Sequence, residues 1–223
     1  MDPRIEQSVT HTRKPRGQGG SRRSEILEAA KKLFVEDGVG NVTMRRIASS
    51  VGVSPTALYL HFADKDAILA AIAQNLFTEL LSEMEQNWDL RLTPLPRLRA
   101  GLRAYVGFGL AHPDEYRLSL MTRPCGPASC AVAMAGRSFA LLQDCVTELI
   151  GEGVFRALPP ERLAETLWAM MHGITALLLD QAENLATPGA VLIETAIDVI
   201  EFGMLNQDRR TGETVTNPPE PRS

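Results

Sequence analysis

The sequence predicts an all-α protein, a three-helix head followed by a larger helical body, about nine helices in all. Long stretches rich in Ala, Leu, Glu and Arg, the strong helix formers, run between breaks marked by Pro and Gly. Apolar residues recur at helical spacing, and strictly alternating runs of Val, Ile and Thr are absent. With 44% hydrophobic residues in 223, the chain can bury a real core.

Residues 1–20 combine Pro3, Pro15, Gly17, Gly19 and Gly20 with basic and hydroxyl residues and have no apolar face, so a disordered basic arm is expected. Ser21 or Ser24 then opens a first helix with Ile26, Leu27, Ala30, Leu33 and Phe34 on one stripe, closing at Gly38. Thr43 caps a short second helix with Met44, Ile47, Ala48 and Val51 inward, closing at Gly52. Ser54, with Pro55 at the first helical position, opens a third helix to about His61. Asp64 caps a long fourth helix to about Trp88, with Ile68, Leu69, Ile72, Leu76, Leu80 and Met84 facing inward.

Further helices are expected over 94–112, 113–121, 127–151, 160–184 and 188–206, each entered near a proline. The tail, with Pro218, Pro219 and Pro221 and almost no large apolar side chain, is expected to be disordered. The domain reading is therefore a basic arm over 1–20, a head over 21–66, a body over 67–207 and a tail over 208–223.

The segment from Thr43 to His61 has the form of a helix-turn-helix. Ala48 is small where two helices cross, Gly52 supplies a permissive backbone for the turn, and Val53 fills the angle between the helices. Ser54 caps the second of the pair. With Leu58 and Phe62 facing the core, Pro55, Thr56, Tyr59 and Leu60 turn outward as candidate contacts to bases and phosphates. His61 and Lys65 follow as further phosphate partners.

Net charge of −4 speaks weakly against a nucleic-acid partner until it is divided along the chain. Residues 1–62 hold ten Lys and Arg against six acids, a balance of +4, which leaves −8 for the rest. A polyanion would be drawn to the first part alone.

Ile26-Leu27-Glu28-Ala29-Ala30 with Leu33-Phe34 and Gly38, then Thr43-Met44-Arg45-Arg46-Ile47-Ala48, Val51-Gly52-Val53-Ser54 and Leu58-Tyr59-Leu60-His61-Phe62 with Lys65 and Leu69, resembles the TetR family of bacterial regulators in order and spacing. The resemblance implies that Thr43, Tyr59, His61 and Lys65 touch the DNA backbone. It implies that Arg45, with Arg46 beside it, and Ser54, Pro55, Thr56 and Ala57 lie at or near the bases. Leu60 departs from the pattern, since many members carry a larger polar or basic side chain there.

The same resemblance implies a helical regulatory domain that dimerises through its last two long helices, here 160–184 and 188–206, and holds a small lipophilic or aromatic inducer. Leu167-Trp168-Ala169-Met170-Met171-His172-Gly173 is similar to the Trp-His-Gly signature of one subgroup. Trp168, Met171, His172 and Thr175 occupy successive turns of one helix and either line a cavity or fill a core, with Gly173 allowing a neighbouring helix to approach. Tyr105, Phe108, His112, Tyr116, Met121, Met134 and Phe139 are further wall candidates with the same two uses. Leu163, Leu167, Leu178, Ile193, Ile197, Ile200 and Met204 are candidates for a four-helix seam with a partner, and intramolecular core competes for some of them.

The function expected is a ligand-released repressor bound as a dimer to palindromic double-stranded operator DNA. No catalytic constellation, metal site or cofactor is expected: HExxH, GxSxG and a phosphate loop are absent, and the four histidines are scattered at 11, 61, 112 and 172. The longest apolar stretch, Trp168 to Leu179, falls short of a membrane span, and the basic, polar start is not a signal segment, so a cytoplasmic location is expected. Two alternatives stay open. One is a thiol redox sensor on the same frame using Cys125 and Cys130; the other is an architectural DNA binder without an inducer.

Overall fold

A computed structural model describes residues 19–121 and 136–206. Nearly all of the basic arm, the tail, Cys125, Cys130, Met134 and the first part of the helix expected over 127–151 lie outside the described residues. All regular structure among the described residues is helical; the one β feature is an isolated antiparallel bridge between Phe155 and Leu205. The chain divides into two compact units, one ending at Asp64 and one beginning at Lys65.

The first unit holds α1 (Gly19–Asp37), α2 (Met44–Ser50) and α3 (Pro55–Tyr59). Its core is the set that helical spacing selects: Ile26, Ala30, Phe34, Ile47, Ala48, Leu58 and Phe62, joined by Val42 from the α1–α2 connection. α1 starts before the hydroxyl residues expected to cap it, because the first turn of a helix is the part least fixed by side-chain packing. The Arg23 guanidinium lies 4.7 Å from the centre of the Phe62 ring, a cation–π contact between the start of α1 and the residue just after the α3 turn.

The second unit holds α4 (Lys65–Asn87), α5 (Pro94–Ala111), α6 (Pro113–Tyr116), α7 (Arg137–Gly151), α8 (Pro160–Asp180) and α9 (Gly189–Met204). α6 runs into a π-helical turn over Arg117–Met121, and α8 gives way to a 3₁₀ turn at Ala182–Asn184. Prolines enter α5, α6 and α8 at the first turn, where the missing N–H has no partner to lose. One continuous core draws on α4, α5, α7, α8 and α9, centred on Leu76, Val106, Leu149, Leu167, Met171 and Ile197.

Charged contacts between helices add register. The buried Arg97 of α5 pairs with Glu148 of α7. Arg99 reaches Asp198 at 2.6 Å and Glu201 at 2.5 Å, and Arg103 reaches Glu194 at 2.6 Å, so α5 is laced to α9. The partly exposed Arg99 and Arg103 pairs contribute about 0–1 kcal/mol each, and their value here is orientation.

Five of the seven side chains expected at a partner seam, Leu163, Leu167, Ile197, Ile200 and Met204, are instead buried in this unit's own core, and Leu178 and Ile193 pack partly against it. Periodicity could not separate the two uses, since α8 and α9 are apolar on more than one face. The outward face carries Met170 and Leu177 on α8, and Val191, Val199 and Phe202 on α9. Gly173 is exposed as well, and among the described residues nothing lies within 4 Å of where its Cβ would stand.

Candidate nucleic-acid interface and regulatory cavity

The helix-turn-helix is built by caps at both of its starts. The Arg46 backbone N–H donates to Thr43 Oγ1 at 3.2 Å, and the Ala57 backbone N–H donates to Ser54 Oγ at 3.1 Å. Each cap uses only a lone pair, so the hydroxyl hydrogens of Thr43 and Ser54 remain to donate to a phosphate or base. Between the helices Gly52 sits at φ +66°, where a side chain would be strained, and the Val53 N–H closes the turn on the Ala48 carbonyl at 3.0 Å.

Leu58 and Phe62 are buried, which fixes the rotation of the recognition segment. Ser54, Pro55, Thr56, Tyr59 and Leu60 are exposed, and Ala57 and His61 are half-buried. Tyr59, 54% exposed, presents a ring and a hydroxyl, a pairing suited to a sugar-phosphate backbone. α3 ends at Tyr59, so His61 stands in the turn beyond it, its N–H donating to the Leu58 carbonyl at 2.9 Å. Arg45 is exposed on α2, whereas Arg46 is held 2.6 Å from the Asp37 carboxylate. Lys65 begins α4 in the second unit.

The second unit contains a cavity that opens in part to solvent. Phe77, Leu80 and Met84 of α4 form one wall together with Trp88. Gly101, Leu102 and Tyr105 of α5, Ser138, Phe139 and Leu142 of α7, and Trp168 and Met171 of α8 supply the others, with Leu120 from the π turn. Gly101 matters because a Cβ there would lie 2.4 Å from the Trp88 ring, so a side chain at this position would force the indole to shift.

Of the expected wall residues, Tyr105, Phe139, Trp168 and Met171 line this space. Phe108, His112, Met121, His172 and Thr175 are not in its wall. Phe108 packs on the His112 ring at 4.4 Å, and the buried Thr175 hydroxyl donates to the Met171 carbonyl at 2.8 Å and neighbours Tyr116. Period alone does not mark α4 as a wall, because Leu80 and Met84 are ordinary inward positions.

Next to the cavity runs a chain of three polar side chains. The Tyr105 hydroxyl lies 3.0 Å from the Tyr116 hydroxyl, which lies 2.7 Å from Nδ1 of His172. His172 is stacked between Tyr116 and Trp168, with ring centres at 5.6 and 5.5 Å. Burial holds both phenols above their ordinary pKa and His172 below its own, so the chain is neutral. Cys145 is buried, its thiol donates to the Pro94 carbonyl at 3.4 Å, and burial pushes its pKa up, the opposite of a reactive thiol. No cluster of metal-ligating side chains occurs among the described residues, and no helix among them is long and apolar enough to cross a membrane.

Residues 26–72 match the family described as bacterial regulatory proteins, tetR family, and residues 98–200 match the tetracyclin repressor-like C-terminal domain. The chain is 35% identical over 83 residues to the HTH-type transcriptional repressor KstR2 of Mycobacterium tuberculosis, a match covering 37% of this chain and 42% of that protein. It is 41% identical over 96 residues to the HTH-type transcriptional repressor Rv1474c of the same organism, covering 43% of this chain and 44% of the relative. The chain thus spans less than half the length of these curated relatives. A solved structure of a protein of unknown function from Rhodococcus sp. RHA1 superimposes with a TM-score of 0.70 at 27% identity, over 86% of this chain and 100% of that one.

Proposed function

The chain belongs to the TetR family of bacterial transcriptional regulators, and from that premise we propose that it is a ligand-released repressor binding a palindromic operator as a homodimer. The observation that carries the reading is the one-sided recognition segment. Leu58 and Phe62 anchor it inside, while Ser54, Pro55, Thr56 and Tyr59 stand outside on a cap-stabilised turn. Thr43, Arg45, Arg46, Ala57, His61 and Lys65 are the remaining proposed contacts, to phosphates or to the edges of bases.

Homodimerisation is supported by exposed apolar side chains on α8 and α9: Met170 and Leu177 flank the exposed Gly173 in sequence on α8, and Val191 and Val199 are exposed on α9. Two copies joined there form a four-helix seam. The dimer offers two recognition helices about one DNA turn apart, roughly 34–36 Å, and so selects a palindrome.

The inducer site proposed is the cavity between α4, α5, α7 and α8, with Tyr105, Phe139, Trp168 and Met171 in contact. α4 supplies one wall and follows the helix-turn-helix directly in the chain. A ligand that repositions α4 disfavours the head spacing that fits DNA, which is how occupancy lowers operator affinity. The domain limits 21–66 and 67–207 and a cytoplasmic site of action belong to the same reading. Footprinting on the region upstream of the protein's own gene tests it: a protected inverted repeat supports it, and diffuse, unlocalised protection contradicts it.

A further inference from the structure

We propose that the cavity takes an uncharged, ring-bearing, largely hydrocarbon ligand with one hydroxyl or carbonyl oxygen, and that Tyr105 reads this oxygen at the end of the Tyr105–Tyr116–His172 chain. The inference rests on the cavity being the inducer site.

The wall decides the charge. Among the described residues no Lys, Arg, His, Asp or Glu lines the space. Arg97, the buried cation beside Trp88, is outside the wall and paired with Glu148. A carboxylate or phosphate entering would lose its hydration with no cation among the described wall residues to replace it, a large penalty. A cation would meet no carboxylate either.

The wall also decides the shape. Phe77, Trp88, Tyr105, Phe139 and Trp168 supply aromatic surfaces, which favour flat rings at offset or edge contacts. Trp88 keeps its place only because Gly101 has no side chain.

Beside the Ser138 hydroxyl of the wall, the polar chain decides where a ligand oxygen is read. Three groups in series, two hydroxyls and one imidazole nitrogen, can orient their hydrogens in either of two directions. When Nδ1 of His172 accepts, Tyr116 donates to it and Tyr105 donates to Tyr116, so the Tyr105 oxygen, which also faces the Trp168 side chain, keeps one lone pair to accept from a ligand hydroxyl. When Nδ1 carries the hydrogen, both hydroxyls reverse and Tyr105 donates to a ligand carbonyl. A neutral hydroxyl or carbonyl is thus satisfied in either state, because the His172 tautomer can switch to suit it.

Calorimetric titration of the full chain with biphenyl, 4-phenylphenol and biphenyl-4-carboxylate tests the inference, paired with gel shifts on operator DNA. The phenol is expected to bind about tenfold tighter than biphenyl, and the carboxylate weakest of the three. Tyr105→Phe, which keeps the ring and the packing, is expected to bind biphenyl as wild type does and to lose the preference for the phenol. A carboxylate that binds as tightly as the phenol, a phenol preference that survives in Tyr105→Phe, or no binding of any of the three overturns the inference. A Tyr105-dependent preference with the operator complex undisturbed supports the ligand class and sinks the inducer reading instead.

Discussion

Tyr116 places its hydroxyl 2.7 Å from Nδ1 of His172 while its ring stacks on the same imidazole, so one residue both packs and hydrogen-bonds the histidine of α8. Burial lowers the His172 pKa below 6.5. The unfolded chain then binds a proton at a pH where the folded chain does not, so stability falls as pH drops through 6.5 and levels off below the folded value. Thermal melts of wild type and His172→Gln at a series of pH values check this. The wild type is expected to lose more melting temperature between about pH 7 and pH 5 than the variant, in which that term is absent.

Leu58 has no exposed surface, and it turns the recognition segment. Leu58→Ala is expected to cost about 2–5 kcal/mol of stability in the head, from lost burial and the cavity left behind. Denaturant melts followed by circular dichroism read the loss.

At Gly101 two effects compete. Alanine favours a helix over glycine by about 0.5–1 kcal/mol, whereas pressing a Cβ against the Trp88 ring costs about 1–3 kcal/mol. The close contact of 2.4 Å makes displacement of the indole the larger effect. Gly101→Ala is expected to be neutral to mildly destabilising, to shift tryptophan emission and to weaken binding of 4-phenylphenol. Fluorescence and calorimetry measure these outcomes.

Val199 is 61% exposed and Met170 is 40% exposed. Glutamate at either position costs the isolated chain little, within about 0.5 kcal/mol, because exposed sites tolerate charge. In a self-complementary seam the same change meets its own copy and an apolar surface. Val199→Glu with Met170→Glu is expected to give a folded monomer by light scattering, with weak operator binding.

Much of the fold was legible because helix ends announce themselves. Thr43, Ser54 and Gly52 signal the turn chemically, and Pro94, Pro113 and Pro160 mark the first turns of later helices. The outward set on α3 follows from Leu58 and Phe62 alone.

The regulatory cavity was legible only in part. Leu80, Met84 and Leu142 have the same residue type and period as core, so lining and filling look alike until helices are placed together. Thr175 shares successive turns with Trp168 and Met171, yet its hydroxyl donates to its own helix beside Tyr116 and does not line the cavity. On α8 and α9 period alone does not separate the buried stripe from the exposed one, since Leu167 and Ile197 are as apolar as Leu177 and Val199. The link from Tyr116 to His172 spans 56 residues of sequence, and local spacing carries no trace of it.

Tyr59 offers the most direct test of the central claim, because its exposed side chain can be removed while Leu58 and Phe62 keep the segment in place. Fluorescence anisotropy with a labelled fragment of the upstream region measures operator affinity for wild type and Tyr59→Ala at equal salt. Wild type is expected to bind this fragment more tightly than a scrambled one, with Tyr59→Ala about tenfold weaker at an unchanged melting temperature. Equal affinity of the two proteins for the operator fragment, with both folded, would contradict the account.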